Sequence, residues 1–149
     1  IQRIGCWSGF LAMWSGIATM EQAERMVKEN LLDKNAFWAP FGVRTLSKYE
    51  KMYAVKASNN PSCWLGPVWG ITNYLVFRGL LQYGYEDEAA ELAEKTLSLF
   101  GRGLQNCGEL HEYYDPETGA PVINPGFQNW NLLAVNMGAW LHGETVVSE

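Results

Sequence analysis

Apolar side chains recur every three or four residues in several parts of this chain, which is the spacing of one face of a helix. The clearest stretches are 19–31, 67–83, 86–100 and 129–140. Each is bounded by glycine, proline or a capping residue, so the pattern predicts a helix at each of them. The sequence contains no alternating run of apolar and polar residues that would predict a strand.

A few residues set the predicted helix starts. Thr19 and Gln22 have the spacing of a capping box at the beginning of the first helix. Pro67 fits the first turn of the second helix, because its fixed φ suits that position. Asn129 or Asn131 is the predicted cap of the last helix.

Between the helices the sequence predicts irregular structure. Gly101 and Gly103 are expected to end the third helix, and a long aromatic loop follows over 104–126, with room for a short extended piece. The stretch 37–58 is also expected to be mostly irregular. We therefore predict a single all-α domain over residues 1–149.

Composition narrows the class of protein. The 149 residues are 48% hydrophobic and 18% charged, which is typical of a globular domain. The net charge is −5 and the eleven Lys and Arg residues are scattered, so nucleic acid is not an expected partner. No apolar run reaches the ~18 residues of a membrane span, and the start of the chain has no signal-peptide pattern. Localisation stays open, with the cytoplasm slightly favoured.

Cysteine and histidine usage argues against disulfides and metal sites. Cys6, Cys63 and Cys107 are odd in number and far apart, so we expect buried, reduced thiols. His111 and His142 do not provide a metal-binding spacing. We expect no metal and no cofactor.

Two segments, 60–69 and 111–119, carry the candidate chemistry. In the first, two tryptophans bracket a Gly-Pro dipeptide. In the second, Glu112 precedes two tyrosines and a turn signature. Indole faces stack on the C–H side of a pyranose, and a carboxylate activates water or stabilises an oxocarbenium ion. The combination indicates a pocket that cleaves sugars.

These segments resemble motifs of glycoside hydrolase family 63. Residues 64–69, Trp-Leu-Gly-Pro-Val-Trp, are similar to the helix-opening motif of that family, and 112–119 are similar to its catalytic-base loop. Residues 8–19 and 41–47 match as well. The resemblance covers nearly the whole chain and extends, more distantly, to trehalases.

The resemblance implies an (α/α)6 barrel of helical hairpins and inverting hydrolysis of an α-glycosidic bond. Twelve helices with their loops need about 200 residues, so this chain would hold the C-terminal half of such a barrel. In the family the general acid is an aspartate upstream of the base, and nothing before Trp64 resembles its motif. We expect a missing N-terminal half to supply the acid.

Within this resemblance Glu112 is the expected general base. Trp64, Trp69, Trp130 and Trp38 are the candidate platforms for an oligosaccharide or small glycoside, and core packing is the alternative for each of them. We expect Glu112 to point into a concavity within reach of Trp64 or Trp69.

Other substrate-binding candidates follow from the same motifs. Gly66 allows close approach of the backbone, Pro67 sets the entry angle of the helix, and Tyr114 is expected to hydrogen-bond Glu112 or its water. The family has arginine where this chain has Leu65, which implies the loss of a polar contact to a sugar hydroxyl. The closing motif at 127–131 also departs from the family pattern.

Two other functions compete with the hydrolase. A non-catalytic carbohydrate-binding or interaction module would keep the aromatic pocket without turnover. A sugar epimerase on the same fold would place histidines around the pocket, which fits poorly because the chain has two. Half of a toroid would expose apolar helix faces, so we expect the isolated chain to form a homodimer.

Overall fold

The computed structural model describes residues 3–56 and 62–144, so the Asn60-Pro61 start of the first motif segment lies outside the described residues. Helices dominate the described part. They are α1 (Leu11–Trp14, after a 3-10 turn at Trp7–Phe10), α2 (Met20–Arg25, continued by a π-helical stretch at Met26–Leu31), α3 (Gly70–Gln82), α4 (Glu86–Cys107) and α5 (Ala134–Leu141, after a 3-10 turn at Asn129–Leu133).

Short strands join the helices, whereas the sequence predicted at most one short extended piece, within 104–126. They are β1 (Trp38–Ala39), β2 (Gly42–Val43), β3 (Val68–Trp69), β4 (His111–Tyr114) and β5 (Pro121–Pro125). Strands β1 and β2 pair antiparallel, and a second antiparallel sheet has the order β3-β4-β5. With two to five residues each, they are too short to show a period of two in the sequence.

Local capping explains the start of α2. The Thr19 hydroxyl accepts a hydrogen bond from the backbone N–H of Gln22 at 3.2 Å. The side-chain carbonyl of Gln22 accepts one from the backbone N–H of Thr19 at 2.8 Å. Each bond satisfies a donor that the helix leaves without an intrahelical partner. The predicted capping box is confirmed.

Two predicted boundaries, at the start of α3 and the end of α4, are wrong. Pro67 is outside α3, because the chain first extends as β3 and the helix begins at Gly70. Helix α4 continues through Gly101 and Gly103 and ends at Cys107, followed by Gly108, which has a φ of 75°. A left-handed glycine after the last turn is a common helix end.

The last helix also begins differently. Asn129 and Asn131 both lie within the 3-10 turn before α5, so neither of the two predicted residues caps that helix, and Asn131 is buried. Its side-chain amide donates to the carbonyls of His111 at 2.7 Å and of Phe127 at 3.0 Å. Asn131 therefore connects this turn to the strand that carries Glu112.

The main core lies among the helices, and a separate aromatic cluster lies beside the three-stranded sheet. Phe77 and Leu80 of α3 and Leu92 of α4 are fully buried in the main core. Cys63, Trp69 and Tyr113 form the buried centre of the aromatic cluster. The helical core thus supports the sheet, and the sheet positions the candidate site.

The described residues contain neither a membrane-spanning helix nor a metal-binding cluster. No helix there is long and apolar enough to cross a membrane, and no group of three or more His, Cys, Asp or Glu could hold a metal ion. All three cysteines are free, but only Cys63 is buried: Cys107 is exposed and Cys6 is partly exposed. The expected burial is therefore wrong for Cys107.

Candidate functional site

Glu112 lies on β4 with a side chain that is largely removed from solvent, since the residue is 7% exposed. Its Oε1 accepts a hydrogen bond from the Ser62 hydroxyl at 3.2 Å, and its Oε2 accepts from the side-chain amide of Asn124. The Ser62 bond joins the two motif segments in space. Both carboxylate oxygens are thus oriented by neutral donors.

The sheet places these groups together. Trp69 of β3 pairs with Tyr113 of β4, which brings the first motif segment beside the second. His111 pairs with Pro125 and Tyr113 with Ile123, so Glu112 lies directly across from Asn124. The sequence analysis missed Asn124, and no local pattern could have revealed it, because the pairing depends on the register of the hairpin.

The tryptophans of the first motif form a stack with Tyr113. The ring centroids of Trp64 and Trp69 are 3.9 Å apart at an interplanar angle of 15°, and those of Trp69 and Tyr113 are 5.1 Å apart at 24°. Trp7 stacks on Trp64 at 6.0 Å. Trp69 is 1% exposed with a ring stacked on each side, so it packs in the core and offers no open face to a sugar. Trp64 is partly exposed but also lies between two rings.

Trp130 belongs to the same aromatic cluster. Its ring centroid is 6.0 Å from that of Trp69 and 5.1 Å from that of Phe127, and the residue is partly exposed. Its indole Nε1 is buried and has no hydrogen-bond partner among residues 3–56 and 62–144. Among the candidate platforms, Trp130 therefore keeps both some exposed surface and an unused donor.

Gly66 and Pro67 lie in the loop before β3 and contact residues distant in the sequence. Gly66 has a φ of 151°, and a Cβ at this position would lie 2.6 Å from the Tyr53 ring. The Gly66 amide donates to the Thr45 hydroxyl at 3.1 Å, and that hydroxyl donates to the Pro67 carbonyl at 2.9 Å. Both residues are buried, which assigns them to the support of the site.

Tyr114 packs against Phe100 of α4. Its hydroxyl accepts from the His111 amide at 2.7 Å, and its ring is 0% exposed and packs 5.6 Å from Phe100. Burial raises the pKa of this phenol. The donors to Glu112 among the described residues are Ser62 and Asn124, so the expected bond from Tyr114 to Glu112 or its water stays a prediction.

Trp38 belongs to a different region. Its indole Nε1 donates to Glu91 at 2.8 Å, and the Lys95 ammonium lies 4.4 Å from its ring centroid. With Arg44 and Glu117 these residues line a cavity of about 310 Å³ whose lining does not include Glu112. The structure does not bring Trp38 to Glu112.

The neighbouring acids have other roles. Asp115 Oδ1 accepts from the amides of Glu117 and Thr118 at 2.9 Å each, as predicted for a turn. Glu117 Oε1 pairs with the buried Arg44 at 2.6 Å, and this guanidinium lowers the pKa of the Glu117 carboxyl. Glu109 is exposed. Glu112 thus differs from these three acids in being buried.

A larger cavity, of about 630 Å³, lies apart from Glu112. Trp14 of α1, Arg78 of α3 and Trp140 of α5 are among its lining residues. The described part of the chain therefore does not enclose Glu112 in either of these cavities. The predicted concavity around it remains a prediction.

Comparisons with known proteins agree with the motifs. A sequence model of the mannosylglycerate hydrolase MGH1-like glycoside hydrolase domain matches residues 5–132. Mannosylglycerate hydrolase MGH1 from Selaginella moellendorffii is 30% identical over 136 residues, covering 90% of this chain and 24% of that protein. A probable mannosyl-oligosaccharide glucosidase from Schizosaccharomyces pombe is 30% identical over 115 residues, covering 70% of this chain and 14% of that protein.

Solved structures agree with the fold. The GH63 mannosylglycerate hydrolase from Thermus thermophilus in complex with glucose matches with a TM-score of 0.70 at 26% identity, over 90% of this chain and 30% of that chain. Neutral trehalase Nth1 from Saccharomyces cerevisiae matches in fold, with a TM-score of 0.70 at 22% identity, over 93% of this chain and 24% of that chain. The predicted fold class, part of an (α/α)6 toroid, is confirmed.

The chain spans less than a third of the length of each of these four proteins. The family model, in contrast, covers most of this chain and ends within the 3-10 turn before α5. The predicted resemblance to family 63 glycosidases is confirmed by these matches. The chain therefore belongs to the mannosylglycerate hydrolase MGH1-like glycoside hydrolases.

Proposed function

We propose that this chain supplies the general-base half of an inverting glycosidase that cleaves α-glucosidic or α-mannosidic bonds, with Glu112 as the base. The observation that carries the proposal is the environment of Glu112. The carboxylate is buried beside the aromatic cluster and is oriented at both oxygens by neutral donors, Ser62 and Asn124.

This arrangement suits the removal of a proton from water. An ionised carboxylate has about four acceptor positions, so two donors leave room for a water molecule. Glu112 is not among the acids of the ion pairs found in the described residues, which are Glu24, Glu29, Glu91 and Glu117. A base without a cation partner keeps its negative charge available to the proton.

The reaction would proceed in one displacement. Glu112 takes a proton from a water on the face of the sugar opposite the leaving group, the water oxygen bonds to C1, and the C1–oxygen bond breaks. A general acid protonates the departing oxygen. We propose that this acid, an aspartate in the family, comes from the remainder of the barrel, and that the chain alone does not turn over.

The substrate class rests on the relatives. The two sequence relatives described above are named as a probable mannosyl-oligosaccharide glucosidase and a mannosylglycerate hydrolase. Leu65 stands where family 63 has arginine, so we expect weaker selection among sugar hydroxyls at that point. Exposed apolar side chains such as Val135, which is 67% exposed, support the further proposal that the isolated chain self-associates.

The test uses a completed barrel: this chain joined to the remainder of a barrel from the flanking sequence of its own gene or, as a chimera, from the Thermus thermophilus hydrolase. We expect hydrolysis of an α-mannoside or α-glucoside with release of the β-sugar, detected by NMR immediately after mixing. Glu112→Gln should lower kcat by at least ~10²-fold, because a general base contributes about 10²–10⁴-fold.

Glu109→Gln is the matched control, since Glu109 is a nearby exposed acid. Full activity of the Glu112→Gln variant, or release of the α-sugar first, would overturn the proposal. Sugar binding without turnover by an otherwise folded completed barrel would favour the carbohydrate-binding module instead.

A further inference from the structure

Asn124 lies at a position where its side chain meets the proposed base directly. In the β4–β5 hairpin it is the cross-strand neighbour of Glu112, between the pairs Tyr113 with Ile123 and His111 with Pro125. Side chains of such neighbours project from the same face of a sheet. The Asn124 amide accordingly donates to Glu112 Oε2, while Ser62 donates to Oε1.

The backbone at Asn124 is unusual. Its φ is 52°, and it is the one non-glycine residue with a positive φ in the described part of the chain. Glycine adopts this conformation without steric cost. Residues with a Cβ have a higher conformational energy there, and asparagine is found in it more often than most of them. The position therefore combines an unfavourable backbone with a side chain that bonds the carboxylate.

The chemistry of the donor matters. An amide N–H fixes one carboxylate oxygen in place without bringing a positive charge that would hold the proton acceptor in an ion pair. Ser62 fixes the other oxygen in the same way. With both oxygens fixed, the remaining lone pairs point in set directions, which is the requirement for a base that must meet a water in one geometry.

We propose that Asn124 is a positioning residue for catalysis, acting through its amide bond to Glu112 Oε2. This inference rests on the proposed function of Glu112. Asn124 holds a left-handed backbone conformation where its amide meets the carboxylate, and the prolines at 121 and 125 restrict the backbone of this strand.

The test in the completed barrel uses Asn124→Gly, which suits the backbone conformation and removes the amide. We expect kcat to fall about 10- to 100-fold, the effect of losing one hydrogen bond to a charged group, with KM within about threefold. Asn124→Asp places a second carboxylate against Oε2 and should lower kcat at least as far. Asn35→Gly, in an exposed turn, is the control.

The outcomes separate the two proposals. If Glu112→Gln is inactive while Asn124→Gly keeps kcat within twofold of the unsubstituted barrel, Asn124 has no positioning role and the base assignment stands. If Glu112→Gln is fully active, the base assignment itself fails.

A second measurement needs no activity. In the 149-residue chain, one side-chain amide proton of Asn124 should resonate downfield in the NMR spectrum, and Glu112→Gln should move it upfield. An unchanged resonance would also overturn the inference.

Discussion

An ion pair between Arg44 and Glu117 connects the β4–β5 hairpin, which carries Glu112, to the residue that follows β2. Glu117 lies in the turn between β4 and β5, and its Oε1 is 2.6 Å from the Arg44 guanidinium and 3.1 Å from the Lys48 ammonium. Arg44 follows β2, and its guanidinium also donates to the carbonyls of Lys34 and Ala36. We predict that Glu117→Gln destabilises the folded chain.

The magnitude follows from the exposure of the two partners. The Arg44 side chain is 2% exposed and cannot regain water when its partner is neutralised, whereas the Glu117 side chain is 43% exposed. Loss of a partner from a fully buried pair costs about 3–5 kcal/mol, and exposed pairs contribute about 0–1 kcal/mol. Allowing for solvent screening at Glu117, we expect about 1–2 kcal/mol, or roughly 2–8 °C in Tm for a domain of this size.

The effect depends on pH in a defined direction. Arg44, with Lys48, lowers the pKa of the Glu117 carboxyl below its ordinary value of 4.5. A lowered pKa means that the unfolded state binds the proton more readily. The contribution is therefore complete above pH 4.5 and is lost as the pH falls through the lower, folded-state pKa.

Thermal melts of the 149-residue chain, followed by circular dichroism, measure this effect. The gap in Tm between the unsubstituted chain and Glu117→Gln should be full at pH 7 and should shrink below pH 4.5. Glu24→Gln is the control, because Glu24 pairs with Lys28 at 2.6 Å on an exposed helix face, and its Tm should not change measurably. Equal Tm values for the Glu117→Gln variant and the unsubstituted chain at pH 7, or a gap independent of pH, would refute the reasoning.

Two other predictions concern packing. Gly66→Ala should destabilise the chain by about 2–4 kcal/mol in urea unfolding, because its φ is 151° and the new Cβ would lie 2.6 Å from the Tyr53 ring; an unchanged midpoint would contradict this close approach. The isolated chain should be at least dimeric by light scattering at micromolar concentration, because Ile17 and Val135 are 78% and 67% exposed; a soluble monomer would show that these surfaces need no cover.

Local signals in the sequence predicted local structure well. The Thr19 capping box is present, and α3 and α4 lie where the apolar periodicity placed them. Both kinds of signal act within a few residues, through a cap hydrogen bond or one buried helix face. They therefore survive in whatever tertiary context the chain adopts.

Tertiary contacts overrode other local signals. Pro67 could begin a helix, but its carbonyl accepts from Thr45 and the next residues pair with β4. Gly103 could end α4, yet it lies buried inside the helix, next to the Tyr114 hydroxyl, where a Cβ would make an ordinary van der Waals contact at 3.7 Å. The partners of both residues are distant in the sequence, so no nearby pattern signals the outcome.

The candidate site was predicted in part. The motifs identified Glu112 as a candidate, and the structure gives it a buried environment that the neighbouring acids lack. The bond to Asn124 depends on hairpin register, and the burial of Trp69 depends on rings from Trp64 and Tyr113. A tryptophan in a sequence indicates either a sugar-stacking surface or core packing, and the ring contacts in the structure distinguish the two.

Azide rescue of Glu112→Ala in the completed barrel tests the central claim most directly. Without the carboxylate, hydrolysis should fall by at least ~10²-fold, and azide should enter the vacated space and attack C1 from the face that water uses. The account predicts that azide restores turnover of an α-glycoside and that the product is the β-glycosyl azide. Failure of azide to restore turnover, or formation of the α-glycosyl azide, would contradict the assignment of Glu112 as the base of an inverting reaction.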